Sequence, residues 1–241
     1  MRAINLTVWF SKLIPRFFQG KPMTTTNRRQ FTSLLAGFAG LALGLPAIAR
    51  AASSGSDTEL EKTLLGAVPI LGERSLGNDD APVVMIEYGS LTCTNSAEFN
   101  AVYWPSIKTD FVDTGKVRFI FREFPLDNLA LRAFMILRCV PEDRYFSTLD
   151  LILNEQSAWR NKDAIRELAR LMQTVGVSKR EFQACASDRG VAKAIFETQQ
   201  ANMTQFGFKT TPTFFVAGLQ LDGKKDPGSI RPAIEAALAR T

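Results

Sequence analysis

Two short apolar runs separated by a single helical stretch most constrain the fold of this chain. In A-P-V-V-M-I-E-Y-G-S, Val83 to Tyr88 reads as a buried strand, β-branched and closed by Gly89. From Thr94 to about Asp113, Phe99, Val102, Tyr103, Ile107 and Phe111 recur at helical spacing, and Pro105 should kink that helix. Gly115 ends it, and Val117 to Phe121 reads as the next strand. A strand, one helix and a second strand in so short a span form a right-handed β-α-β unit, which implies a parallel pair. From about Asn128 to Gln205 the chain is helical, in four apolar stripes broken at Pro141, Asn161 and Gly176, with Ser178 and Asp188 as N-caps. Pro212 then opens the strand of T-P-T-F-F-V-A-G, Gln220-Leu221 adds an edge strand, Asp222-Gly223 supplies a turn, and a final helix runs from about Ser229 to Ala239. The two opening strands need the C-terminal strands to complete a sheet. The expected architecture is therefore one α/β domain with a helical insertion.

The first fifty or so residues do not read as part of that domain. Arg28-Arg29 in T-N-R-R-Q-F-T precede an apolar, Gly- and Ala-rich run from Ser33 to Ala49, and A-I-A-R-A-A follows. A positive n-region, an apolar h-region and a small-residue end make a secretory signal of the twin-arginine type. The alternative is an uncleaved anchor, but the run is short and Pro46 interrupts it, whereas a span needs roughly 20 apolar residues. Met23 is an alternative start to Met1. The chain thus divides into a signal segment over 1–52, an N-terminal arm over 53–80, and a domain over 81–241 whose insertion covers about 128–205. From Ser53 to about Arg74 the arm reads as polar, with a short helical patch and a break at Pro69, and as loose.

The leader also explains the charge. Seven of the 29 basic residues and none of the 24 acidic ones precede Asp57, so the remainder carries 22 basic against 24 acidic residues, a net of −2. A nucleic-acid partner inferred from the overall +5 therefore fails. There is no histidine among the 241 residues, which excludes Ser-His-Asp and Cys-His catalysis and any histidine metal ligand. Neither a metal nor a cofactor is expected. In an oxidising compartment the three cysteines become the main question.

Cys93 follows the first strand and opens the next helix, in L-T-C-T-N-S. Unpaired backbone N–H groups and the positive end of the helix dipole there favour a thiolate, the form that attacks disulfides. An ordinary buried cysteine is the plain alternative. Glu87 sits six residues earlier in an apolar strand, where an isolated carboxylate is costly to bury, unless it points to a sheet edge in water. Thr211-Pro212 opens the later strand. It is either an edge device or a cis bond that offers backbone groups to a bound chain.

Together E-Y-G-S-L-T-C, the strand running into R-E-F-P, the helical insertion and T-P-T-F-F-V resemble the DsbA-like branch of thioredoxin-fold proteins, over about residues 81 to 241. The resemblance implies a thioredoxin fold and thiol–disulfide exchange with cysteine-containing proteins. It also implies Cys93 as nucleophile, Glu87 as the buried carboxylate that assists proton movement, and a cis-proline loop at Thr211-Pro212 facing the nucleophile. The family motif is C-x-x-C, and this chain has C-T-N-S, with Ser96 where the resolving cysteine belongs and Asn95 where a histidine is common. An internal disulfide cannot form there, although Ser96 could hydrogen-bond the Cys93 thiolate.

Cys139 and Cys185 lie 46 residues apart on helices expected to pack together. A bridge between them is favoured over two separate buried thiols, and leaves Cys93 as the odd, free thiol. Three functions remain open at this level. One is a periplasmic monothiol exchange enzyme that needs glutathione or another external thiol, with no stable membrane span after processing. Another is a chaperone-like peptide-binding module. The weakest is a dithiol oxidase that uses a distant cysteine.

Overall fold

The computed structural model describes residues 53–224 and 226–241. The leader and its twin arginines lie outside the described residues. In chain order the elements are α1 (Ser53–Gly66), β1 (Ser75–Leu76), β2 (Val83–Gly89), α2 (Thr94–Val102), α3 (Trp104–Ile107), β3 (Val117–Glu123), α4 (Asn128–Arg138), α5 (Tyr145–Asn154), α6 (Gln156–Trp159), α7 (Ala164–Thr174), α8 (Lys179–Ala186), α9 (Arg189–Phe206), β4 (Thr213–Val216), β5 (Leu219–Asp222) and α10 (Ile230–Leu238). The described strands form one sheet in the order β1-β3-β2-β4-β5, in which only β2 and β3 run parallel. This is the α/β fold with a helical insertion expected from the pattern.

Period-two alternation divides each central strand between two cores. Val83 and Met85 of β2, Phe119 and Phe121 of β3, and Phe214 and Val216 of β4 meet the helices of the insertion. Ile86 and Tyr88, Ile120, and Phe215 face the other way, onto Leu64 and Phe208. Glu87 is two residues after Met85 and shares its face, so it belongs to the side facing the insertion. Because β2 is the middle strand, Glu87 lies opposite Phe121 on one side and Phe214 on the other. The sheet-edge position is therefore ruled out.

Two local expectations need correction. The stretch from Ser53 to Arg74 is not loose: α1 places Leu64 at 0% exposure, and the chain after it is held by two arginines of the domain. Arg122 donates to both Glu73 carboxylate oxygens (3.0 and 2.8 Å), to Leu64 O (2.9 Å) and to Tyr88 Oη (2.7 Å). Arg138 pairs with Glu123 and donates to Leu71 O (3.0 Å) and Gly72 O (3.1 Å). These arginines read as ordinary polar positions of a strand and a helix until the fold sets their partners beside them.

The helix expected over Thr94 to Asp113 is broken into α2, α3 and a π-helical turn at Lys108–Val112. Pro105 has no N–H to return to Ala101, so the break falls at Tyr103, and Val102 turns outward at 62% exposure. The β4–β5 hairpin turns at Ala217 and Gly218, both with positive φ (46° and 81°), and the turn expected at Asp222-Gly223 follows β5.

Cys139, at the C-cap of α4, and Cys185, in α8, are joined by a disulfide with their Cα atoms 6.1 Å apart. Closing this 46-residue span is worth about 4 kcal/mol in the chain-entropy description.

Candidate functional site

The site is assembled where β2 runs into α2. Cys93 is the N-cap residue of α2, with extended backbone (φ −81°, ψ 122°). Its carbonyl accepts the first helical bond from Ala97 N–H (3.1 Å). The N–H groups of Thr94, Asn95 and Ser96 consequently have no acceptor inside the helix, and the dipole sets its positive end at the sulfur. Cys93 Sγ donates to Thr211 O at 3.2 Å, across 118 residues of sequence. The Thr211-Pro212 bond is cis.

Four of the sequence-predicted residues thus gather in one place: Cys93, Thr211 and Pro212 in contact or adjacent, and Ser96 in the first turn of the same helix. Ser96 is fully buried, and its Oγ accepts from Ser90 N (3.3 Å), so its side chain holds the β2–α2 turn. The sulfur instead meets the Thr211 carbonyl. Cys139 and Cys185 are tied to each other within the insertion, and Cys93 is the free cysteine.

Gln156 was not visible as a site residue in the sequence. It opens α6, is buried, and donates to Leu91 O (2.8 Å) and Cys93 O (3.0 Å), which fixes the turn that carries the thiol. A glutamine among helical residues gives no signal of this, because only the packing of the insertion brings it to the turn. Two glycines leave room that a side chain would fill. A Cβ on Gly89 would lie 2.6 Å from the Phe121 ring and 2.9 Å from Glu87 Oε1, and one on Gly223 would lie 2.4 Å from the Phe214 ring and 3.0 Å from Pro212 Cγ.

Glu87 lies beneath this turn at 4% exposure, and its Oε1 has no hydrogen-bond partner among the described residues. Burial holds its carboxyl well above the usual carboxylate range, and the charges of Asp150 and Cys93 push it the same way. Asp150, on α5, is raised to about 6, chiefly by burial, while Lys108, Trp104 and Asn100 oppose the shift. Both acids line one small cavity of about 10 Å³ together with Asn100 and Trp104.

These shifts carry a sign for stability. An acid raised in the folded state keeps its proton where the unfolded chain has lost it, so stability falls as pH rises from the ordinary carboxylate range through the folded value. For Asp150 that window ends near 6, and Glu87, raised chiefly by burial, acts in the same direction. Glu87→Gln is expected to flatten the decline of stability as pH rises beyond the ordinary carboxylate range, as read from urea midpoints across pH. An unchanged slope would place the proton elsewhere.

The Thioredoxin family profile matches residues 71–236. A crystal structure of α-DsbA1 from Wolbachia pipientis is similar at 27% identity and a TM-score of 0.62, covering 77% of this chain and 98% of that one. The chain belongs to the thioredoxin family, in its DsbA-like branch. A protein-disulfide isomerase from Novosphingobium aromaticivorans is similar at 25% identity and a TM-score of 0.63, over 69% of this chain and 97% of that one. A candidate protein-disulfide oxidoreductase of Rickettsia bellii is 32% identical over 165 residues, 68% of this chain. The match spans 63% of that relative's own length. Among the described residues no helix is long and apolar enough to cross a membrane.

Proposed function

We propose that this DsbA-like chain is a monothiol–disulfide exchange protein, exported to the periplasm, that acts on cysteine-containing proteins through Cys93. The observation that carries this reading is the sulfur at the N-terminus of α2, 3.2 Å from the Thr211 carbonyl of the cis-proline loop, with serine and not cysteine at position 96. The names of its relatives and the twin-arginine leader support it.

The chemistry follows from the atoms present. Cys93 loses its proton, and the thiolate attacks one sulfur of a substrate disulfide. A new S–S bond forms, the old one breaks, and the electron pair leaves on the second substrate sulfur, which takes up a proton. With Ser96 in place of a resolving thiol, this mixed disulfide persists until an external thiol such as glutathione attacks Cys93 or the substrate sulfur. Glu87 accepts and returns the proton of Cys93, while Thr211 and Pro212 bound the substrate chain.

The test is turnover with and without external thiol. Insulin reduction or refolding of a scrambled disulfide protein is expected to proceed in a glutathione buffer and to stop without it, whereas Cys93→Ala stays at background in both. Equal activity for Cys93→Ala would favour the chaperone-like reading, in which the fold binds peptides and the sulfur is idle.

A further inference from the structure

The two buried acids beneath the site belong to different parts of the fold. Glu87 comes from the central strand β2 of the sheet, and Asp150 comes from α5 of the helical insertion. They meet at the cavity lined also by Asn100, Trp104, Phe119 and Phe121. Its volume of about 10 Å³ is near the minimum that accommodates a single water. Glu87 is 96% buried in effect, at 4% exposure, and sends an unpartnered Oε1 into this region, whereas Asp150 is half-buried and reaches solvent.

We infer that Asp150 is the route by which the proton of Glu87 reaches solvent, so that the insertion, and not the sheet, completes proton transfer for Cys93. The inference rests on Cys93 acting as the nucleophile proposed above. Asp150 acts through Glu87 and does not touch the sulfur, so it is a positioning residue for that proton.

The charges around the pair fit one shared proton. Glu87 faces Asp150 and Cys93, both of which oppose its ionisation. Asp150 faces Lys108, whose Nζ is already held by both oxygens of Asp113 (2.6 and 2.9 Å), and the side chains of Trp104 and Asn100 also favour its ionised form. Two charges side by side in this buried place are disfavoured, so the pair keeps a proton more readily than separate carboxylates do, and burial favours it on Glu87. When Glu87 passes that proton across the cavity to Asp150 and on to solvent, its carboxylate can take the proton of Cys93. The Cys93 thiolate then forms its S–S bond, and the leaving thiolate is protonated from solvent. During release the same path runs in reverse.

The test is the rate at which reduced Cys93 attacks a small aromatic disulfide, 4,4′-dithiodipyridine, followed by absorbance across the pH range. In the native protein the profile is expected to show an inflection near 6, where Asp150 takes up its proton. Asp150→Asn should lose that inflection and react about tenfold more slowly near neutral pH. Asp150→Glu should restore both, which a packing defect would not. Glu87→Gln should also lose the inflection. If Cys93 reacts and the Asp150→Asn profile superimposes on the native one, the relay is wrong and the monothiol reading stands. If Cys93 of the native protein does not react at any pH, both fall.

Discussion

Arg138→Met is expected to lower stability by about 3–5 kcal/mol, which for a domain of this size is a fall in Tm of roughly 10 °C or more. The side chains of Arg138 and Glu123 are 3% and 4% exposed, so the substitution leaves a buried carboxylate without its cation. Tyr145 Oη still donates to Glu123 Oε1 (2.9 Å), but one hydroxyl does not neutralise a charge. The carbonyls of Leu71 and Gly72 lose their donor in the same step, which leaves the segment joining α1 to β1 held chiefly through Arg122. Replacing both partners, Arg138→Met with Glu123→Gln, should recover part of the loss, because an unpaired charge and not a missing contact is what costs most. Urea denaturation measures both variants. A loss below about 1 kcal/mol in the single variant would show that water reaches Glu123.

Ser96→Cys is expected to create an activity that the native chain lacks. Position 96 lies three residues after Cys93 on the first turn of α2, within the Cα separation that a short disulfide spans. The variant should catalyse oxidation of a reduced dithiol protein over many turnovers, while the native protein oxidises none beyond the uncatalysed background. A small structural cost accompanies the gain. Ser96 Oγ accepts the Ser90 N–H in a fully buried place, and sulfur is the weaker acceptor, so about 1 kcal/mol of stability should be lost. Ellman titration of the reduced and oxidised variant, followed by an oxidative refolding assay, reads both results. If the 93–96 bridge forms and no turnover follows, a missing resolving thiol is not what limits the native chain.

The sequence made the architecture legible because its signals were local. Val83 to Tyr88, Val117 to Phe121 and T-F-F-V are short β-branched or aromatic runs with clear stops, and Ser178 and Asp188 cap their helices through side chains within three residues. Cys93 was visible for the same reason, since its place between strand and helix is a matter of sequence position. What was missed depends on contacts far apart in the chain. Gln156 reaches the Cys93 carbonyl across 63 residues, and Arg122 reaches Glu73 across 49. β1 has only two residues, too few for any period. Asp150 carried no signal at all: an aspartate in a helical stripe ordinarily faces water, and only the packing of α5 brings it to Glu87. The polar arm looked loose because its anchors are the backbone carbonyls of Leu64, Leu71 and Gly72, which every sequence has, and Glu73, whose partner Arg122 lies far along the chain.

The measurement closest to the central claim is peptide mapping of the adduct formed when the native protein meets a disulfide-bonded protein substrate without external thiol. After acid quenching and non-reducing digestion, mass spectrometry should find substrate cysteine linked to the peptide containing Cys93, Cys139 still linked to Cys185, and the adduct lost on adding glutathione. Recovery of Cys93 as a free thiol throughout, with the substrate disulfide intact, would contradict the account.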